Sequence, residues 1–178
     1  MVNARWRWLL LAAAAIVAIA ILVPLFRAPS ERPAGPSGLA GVSAPVFQLR
    51  DDTGAGVSLD RYRGRVVLMN LWATWCPPCR AEMPDLQRLY EAYRSHGLVV
   101  VGVNEGESPQ RARAFASSLG IRFPIWIDER QQYGRVYAAL GMPTTVIVGR
   151  DGVVVRGYDG ALTFDQMREA VAGLVSAR

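Results

Sequence analysis

Five residues constrain this chain more than any other feature. Trp75-Cys76-Pro77-Pro78-Cys79 follows an apolar run over residues 66–72, interrupted only by Asn70, and opens a segment of helical spacing. A run of that kind reads as a strand covered on both faces. In the segment after it, Met83, Leu86, Leu89, Tyr90 and Tyr93 fall on one side, and Gly97 stops the pattern. A Cys-x-x-Cys at such a strand–helix junction, within a βαβ context, reads as a thiol–disulfide redox motif. Cys76 lies at the helix N-terminus, where unpaired N–H groups and the dipole favour a thiolate. A lowered pKa makes it the attacking sulfur. Cys79, one turn further in, is placed to close a two-residue disulfide and to resolve a mixed one. Cys76 is therefore expected to be exposed and Cys79 shielded. Pro77 and Pro78 bring no N–H donors to the loop and stiffen it.

Two other readings of the cysteines stay open. Zinc needs four ligands, and the chain offers Cys76, Cys79 and its one histidine, His96. His96 sits near a helix C-terminus, where a cation suits the dipole. An inert structural disulfide is the remaining reading, disfavoured by the two-residue spacing at a helix start.

Composition narrows the classes further. At 178 residues, 51% hydrophobic and 20% charged, the chain is not disordered. All 20 basic residues are arginine, so lysine-based chemistry is excluded. The formal charge is +5, but beyond residue 32 the balance is 16 basic against 14 acidic residues. The high pI belongs largely to the N-terminus and argues for no nucleic-acid partner.

Residues 8–26 form a stretch of 19 residues without a charge. At about 1.5 Å per residue it spans roughly 28 Å, close to the apolar thickness of a bilayer. Arg5 and Arg7 precede it, Arg27 follows, and Trp6 and Trp8 suit an interface. The reading is an uncleaved transmembrane signal anchor; a cleaved signal peptide would have a shorter apolar region. Arginines on both sides leave the charge count nearly silent on orientation. Residues 27–44 are rich in Pro, Gly, Ser and Ala and read as a flexible linker. The organisation expected is an N-terminal tail over 1–7, the anchor over 8–26, the linker over 27–44 and a redox domain over 45–178.

Within that domain, strand and helix signals alternate. Residues 46–49 and 57–59 are short strand candidates around a turn-rich stretch. A buried strand follows over 98–103. Ser108-Pro109 starts a helix that Gly120 ends. A short strand at 125–127 and a short helix over 130–140 come next. Strands at 145–148 and 153–156 join through Asp151-Gly152. Thr163 opens the last helix, with Gln166 three residues on. Parallel βαβ units with a terminal hairpin and helix make an α/β sandwich.

The segment Asn70-Leu71-Trp72-Ala73-Thr74-Trp75-Cys76-Pro77-Pro78-Cys79-Arg80-Ala81-Glu82-Met83-Pro84 resembles the active-site segment of membrane-anchored, thioredoxin-like thiol–disulfide oxidoreductases of the TlpA/ResA type. The cytochrome c maturation reductases belong there. Val103-Asn104-Glu105-Gly106-Glu107-Ser108 and Gly141-Met142-Pro143-Thr144-Thr145 extend the resemblance, which covers about 45–176. It implies a thioredoxin-like sandwich with an N-terminal β-hairpin extension and a central insertion at 121–140, preceded by one transmembrane helix. It implies that Pro143 is the family's cis-proline, leaving the backbone of Met142 free to pair with an extended substrate. The residues alone, without the motif match, favour an ordinary trans turn proline before a strand. Trp75, Pro77 and Pro78 are implied to face the substrate, with no cofactor and no metal. Glu82 matches a family glutamate, and buried near a thiolate it would have a raised pKa and relay the proton of Cys79. As a plain acidic residue in the first turns it would only support the dipole. Asn70 stands where thioredoxin has a buried aspartate, and an amide cannot relay a proton. Val148-Gly149-Arg150 departs from the family's usual strand ending.

The expected function is a dithiol reductase on the periplasmic side of the cytoplasmic membrane. It would take electrons from a membrane donor and pass them to a protein disulfide, apocytochrome c being one such client. A dithiol oxidase is the second reading, since one motif spans both directions. A binding module for a thiol client or a metal is the third, and two soft ligands argue against the metal.

Overall fold

A computed structural model describes residues 39–176 of the chain. Seven strands form one mixed sheet in the order β2-β1-β5-β4-β3-β6-β7. They are β1 (Leu49–Asp51), β2 (Gly56–Val57), β3 (Val66–Trp72), β4 (Leu98–Glu105), β5 (Ile125–Asp128), β6 (Thr144–Val148) and β7 (Val154–Asp159). The helices are α1 (Pro77–Tyr93), α2 (Pro109–Ser118), α3 (Gln132–Val136) and α4 (Phe164–Ser176). This is the thioredoxin-like arrangement with the expected N-terminal hairpin, β1 pairing antiparallel with both β2 and β5.

The central strand explains the layering. All seven residues of β3 are buried. Val67, Met69 and Leu71 face one core, while Val66, Leu68 and Trp72 face the other, as side chains alternate along a strand. β3, β4 and β5 run parallel and step in one direction across the sheet. Right-handed crossovers taken in the same direction put α1 and α2 on the same face. There Met83, Leu86 and Leu89 of α1, Ala112 and Ala116 of α2, and Met167 and Val171 of α4 join one core. Tyr133 and Tyr137 fill the opposite core, with their rings 4.7 Å apart. At Gly102 an added Cβ would lie 2.9 Å from the Trp72 indole nitrogen, so a side chain there would force that ring to shift.

Several boundaries differ from the sequence reading. The first strand begins at Leu49, and the second is only Gly56–Val57 because residues Leu59–Tyr62 wind into a 3₁₀ turn that buries Leu59. The helix expected over 130–140 is five residues long. It ends where Ala138 turns to a left-handed φ of 51°. Residues 41–44, expected as the end of the linker, are docked on the sheet: Gly41 N–H donates to the Val154 carbonyl, and Ala44 N–H to the Gly152 carbonyl. The sequence hides this pairing, because it uses backbone groups alone and the side chains there carry no periodic signal. The anchor expected over 8–26 lies outside the described residues, as does most of the linker. Among the described residues no helix is long and apolar enough to cross a membrane.

Candidate active site

β3, β4 and β5 end on one edge of the sheet, and β6 begins there because it runs antiparallel to β3. The loops after β3 and β4, the loop before β6 and the loop after β7 therefore converge. This end of an α/β sheet is where ligands meet side chains.

Cys76 is the N-cap of α1, with Pro77 and Pro78 in the first turn, where their missing N–H groups cost nothing. Cys76 and Cys79 are joined in a disulfide. The Cys79 N–H points at the Cys76 sulfur, 3.3 Å away, so an N-terminal helix donor faces that sulfur. The expectation that Cys76 is exposed is corrected. In the disulfide Cys76 is 3% and Cys79 1% exposed, because Cys76 turns inward to its partner and packs in the same core as Trp72 and Ala73. The neighbours carry the exposure: Trp75 is 61% exposed, and Pro77 and Pro78 are open to solvent.

Pro143 is buried and its bond to Met142 is cis. The loop that carries it is anchored by Asp159 at the end of β7, whose carboxylate accepts from the Leu140 N–H at 3.1 Å and the Thr144 hydroxyl at 2.7 Å. Gly160 N–H closes the other side on the Pro143 carbonyl at 2.8 Å. Met142 is half-buried, and Leu140 stands 83% exposed beside it.

Glu82 lies one turn beyond Cys79 on α1 and is buried. Its carboxyl accepts from the Leu162 N–H at 3.0 Å and from the Asn70 amide at 3.3 Å. Asn70 also donates to the Thr145 hydroxyl across the β3–β6 ladder. Burial pushes the Glu82 pKa up to about 7; the bonds from Leu162 and Asn70 oppose this, and the charge of Asp85 adds to it. A carboxyl that changes charge near neutral pH can both give and take a proton.

Sequence reasoning missed a second carboxylate. Glu107 accepts from the Thr74 N–H at 2.7 Å, the Thr74 hydroxyl at 2.6 Å and the Asn104 amide at 2.8 Å, and pairs with Arg111 at 2.9 Å. Burial alone would raise its pKa, but the Thr74, Asn104 and Arg111 contacts outweigh that and hold it below the usual value. The signal was topological. β3 and β4 are parallel neighbours with Trp72 opposite Asn104, so Thr74 and Glu107, just past the two strand ends, must meet.

The AhpC/TSA family profile matches residues 40–156. The chain belongs to the AhpC/TSA family. Among its relatives, thiol-disulfide oxidoreductase ResA of Geobacillus thermodenitrificans (strain NG80-2) is 36% identical over 129 residues, which is 72% of this chain and 74% of that protein. The ResA of Bacillus subtilis (strain 168) is 36% identical over 123 residues, 69% of each chain. The crystal structure of a thiol:disulfide interchange protein DsbE from Chlorobium tepidum superposes with a TM-score of 0.71 at 30% identity, covering 76% of this chain and 97% of that one. With its Cys76–Cys79 pair at the helix N-terminus, this family member is a thiol–disulfide oxidoreductase of the ResA/DsbE type.

Proposed function

We propose that the chain is a membrane-anchored reductase of protein disulfides, working outside the cytoplasmic membrane and serving clients such as apocytochrome c. The observation that carries the reading is the Cys76–Cys79 pair capping α1 with Glu82 buried one turn behind it. In the reduced state, the Cys76 thiolate attacks one sulfur of the client disulfide. A Cys76–client bond forms, and the client's other sulfur leaves as a thiolate. Glu82 takes the proton of Cys79, and the Cys79 thiolate attacks the Cys76 sulfur. The Cys76–Cys79 bond closes and the second client thiolate leaves. Two electrons have passed to the client. A membrane dithiol donor then returns them, and the Cys79 sulfur regains its proton from Glu82.

Trp75, Pro77, Pro78 and the backbone of Met142 are the proposed docking surface. No hydrogen bond to that backbone is formed among the described residues, which leaves it to an extended client segment. The uncharged stretch at 8–26 supports the anchor. The compartment follows from the task, since an anchored reductant has clients where disulfides persist.

The test is the Cys79→Ser full chain expressed in intact cells. Attack succeeds and resolution fails, so a mixed disulfide through Cys76 is expected, with a client outside the cytoplasmic membrane. Trapping by Cys76→Ser instead reverses the nucleophile, and a cytoplasmic client overturns the compartment.

A further inference from the structure

Glu107 takes no part in the exchange steps above, yet it is only 8% exposed and is held by more donors than any other carboxylate at this end of the sheet. Its partner residue matters. Thr74 lies two residues before Cys76, and Glu107 grips it by both its N–H and its hydroxyl. Arg111 completes the set, its guanidinium touching the Glu107 carboxylate at 2.9 Å and the Thr74 hydroxyl at 3.0 Å. Both charges are thereby tied to the loop that presents Cys76. Two residues of chain reach at most about 7 Å, so the pair lies on the order of 10 Å from the reactive sulfur. That is about one Debye length at physiological salt.

We infer that Glu107 and Arg111 are positioning residues that set the acidity of Cys76 through opposed charges: Glu107 raises the cost of the thiolate, Arg111 lowers it, and Thr74 fixes both against the loop. The geometry gives this an electrostatic content beyond loop bracing. A brace alone needs no cation; the Arg111 side chain is 64% exposed and adds little packing. The other charged side chains on the surrounding elements are Arg80, Glu82, Asp85, Arg88 and Glu91 of α1, Glu105 at the end of β4, Arg113 of α2, Asp128 at the end of β5 and Asp159 at the end of β7. The Pro143 loop contributes none. All of these are common to the variants compared below.

The inference rests on Cys76 being the attacking sulfur. The experiment measures iodoacetamide alkylation of the reduced full chain across pH, with the labelled cysteine located by peptide mapping. A label on Cys79 in the wild type would overturn the nucleophile assignment, and the mapping distinguishes that from failure of the present inference. Glu107→Gln is expected to move the Cys76 midpoint down, raising the rate below that midpoint by about three- to tenfold for one charge at this range. Arg111→Met is expected to move it up by a similar factor. The double variant is expected to return close to the wild type. A loosened loop would shift both single variants the same way. Shifts of the same sign, or no shift in either, overturn the inference. Should Glu107→Gln fail to fold, the exposed Arg111→Met decides alone: a rise supports the inference, and a fall or no change sinks it.

Discussion

Glu82 and Glu107 are both buried glutamates at the same end of the same sheet, 3% and 8% exposed; the first lies one helical turn from Cys79, and the second holds Thr74, two residues before Cys76. Burial pushes both pKa values up. The outcomes differ because the partners differ. Glu82 has two neutral donors, at 3.0 and 3.3 Å, and the like charge of Asp85 nearby. Glu107 has three donors at 2.8 Å or less and a guanidinium. The first carboxyl is left with a pKa of about 7 and the second below the ordinary value. A buried carboxyl becomes a proton carrier when its donors are few and neutral, and a fixed charge when they are many and one is cationic. One fold thus places a carboxyl with a pKa of about 7 one turn behind Cys79 and a carboxylate held below its ordinary value beside the Cys76 loop.

The strongest way to break this comparison is Glu82→Gln. Gln keeps the shape and cannot carry the proton. Disulfide exchange near neutral pH is expected to slow about 10²-fold, the usual worth of a positioned proton donor or acceptor. Stability gives an independent readout. Between its ordinary value of 4.5 and about 7, the native carboxyl holds a proton that the unfolded chain has lost. The native state binds more protons there, so this contribution makes stability fall as pH rises through the window and level off above it. The drop amounts to about 3 kcal/mol. Urea unfolding at pH 5 and pH 8 is expected to show that component in the wild type and not in Glu82→Gln. An unchanged pH slope and exchange rate would make Glu82 a mere partner of the helix dipole.

What the sequence disclosed follows the same division. β3 was readable to the residue, because six apolar positions broken only by Asn70 and followed by Cys-x-x-Cys leave no other register. Glu82 was readable because one helical turn separates it from Cys79, and local periodicity is written in the chain. Glu107 and Asp159 were not, since what they bind lies across the sheet: Thr74 is 33 positions from Glu107, and Leu140 is 19 from Asp159. Such pairs appear only once strand order is known. The docking of residues 41–44 on the sheet escaped for another reason. Its bonds are backbone to backbone, and Gly, Val, Ser and Ala there carry no periodic signal.

A smaller effect sharpens the Glu107 side. Thr74→Val keeps the volume and the backbone N–H but removes the hydroxyl that donates to the carboxylate at 2.6 Å. A lost hydrogen bond to a charged group costs about 1.5–3 kcal/mol. The Glu107 pKa is expected to rise. A depressed carboxylate contributes stability that is present above its unfolded pKa and lost as pH falls through the folded value. Thermal unfolding is therefore expected to show a lower Tm at pH 7 and a shallower loss of stability on acidification. A Tm equal to that of the wild type would mean that the backbone N–H, Asn104 and Arg111 hold the charge without Thr74.

The smallest effect belongs to Asn70, and it tests whether donor number is the right variable. Its side chain lies on the α1 face of β3, 1% exposed, giving one bond to Glu82 at 3.3 Å and one to Thr145 at 3.0 Å. Its own carbonyl oxygen is buried without a partner. Asn70→Leu keeps the branching at Cγ and admits no water-sized gap. It removes a donor from Glu82, a partner from Thr145 and an unpaired acceptor from the core. The last gain offsets part of the first two losses, because a buried unsatisfied oxygen is itself costly. Stability at pH 5, where Glu82 holds its proton, is expected to change little. The carboxyl, now held by the Leu162 N–H alone, is expected to titrate above its present value, which carbon NMR of the Glu82 side chain can follow. Were donor count irrelevant beside burial, the titration would stay where it is. Were it to fall, the substitution would have opened the site to water, and desolvation rather than hydrogen bonding would be what separates Glu82 from Glu107.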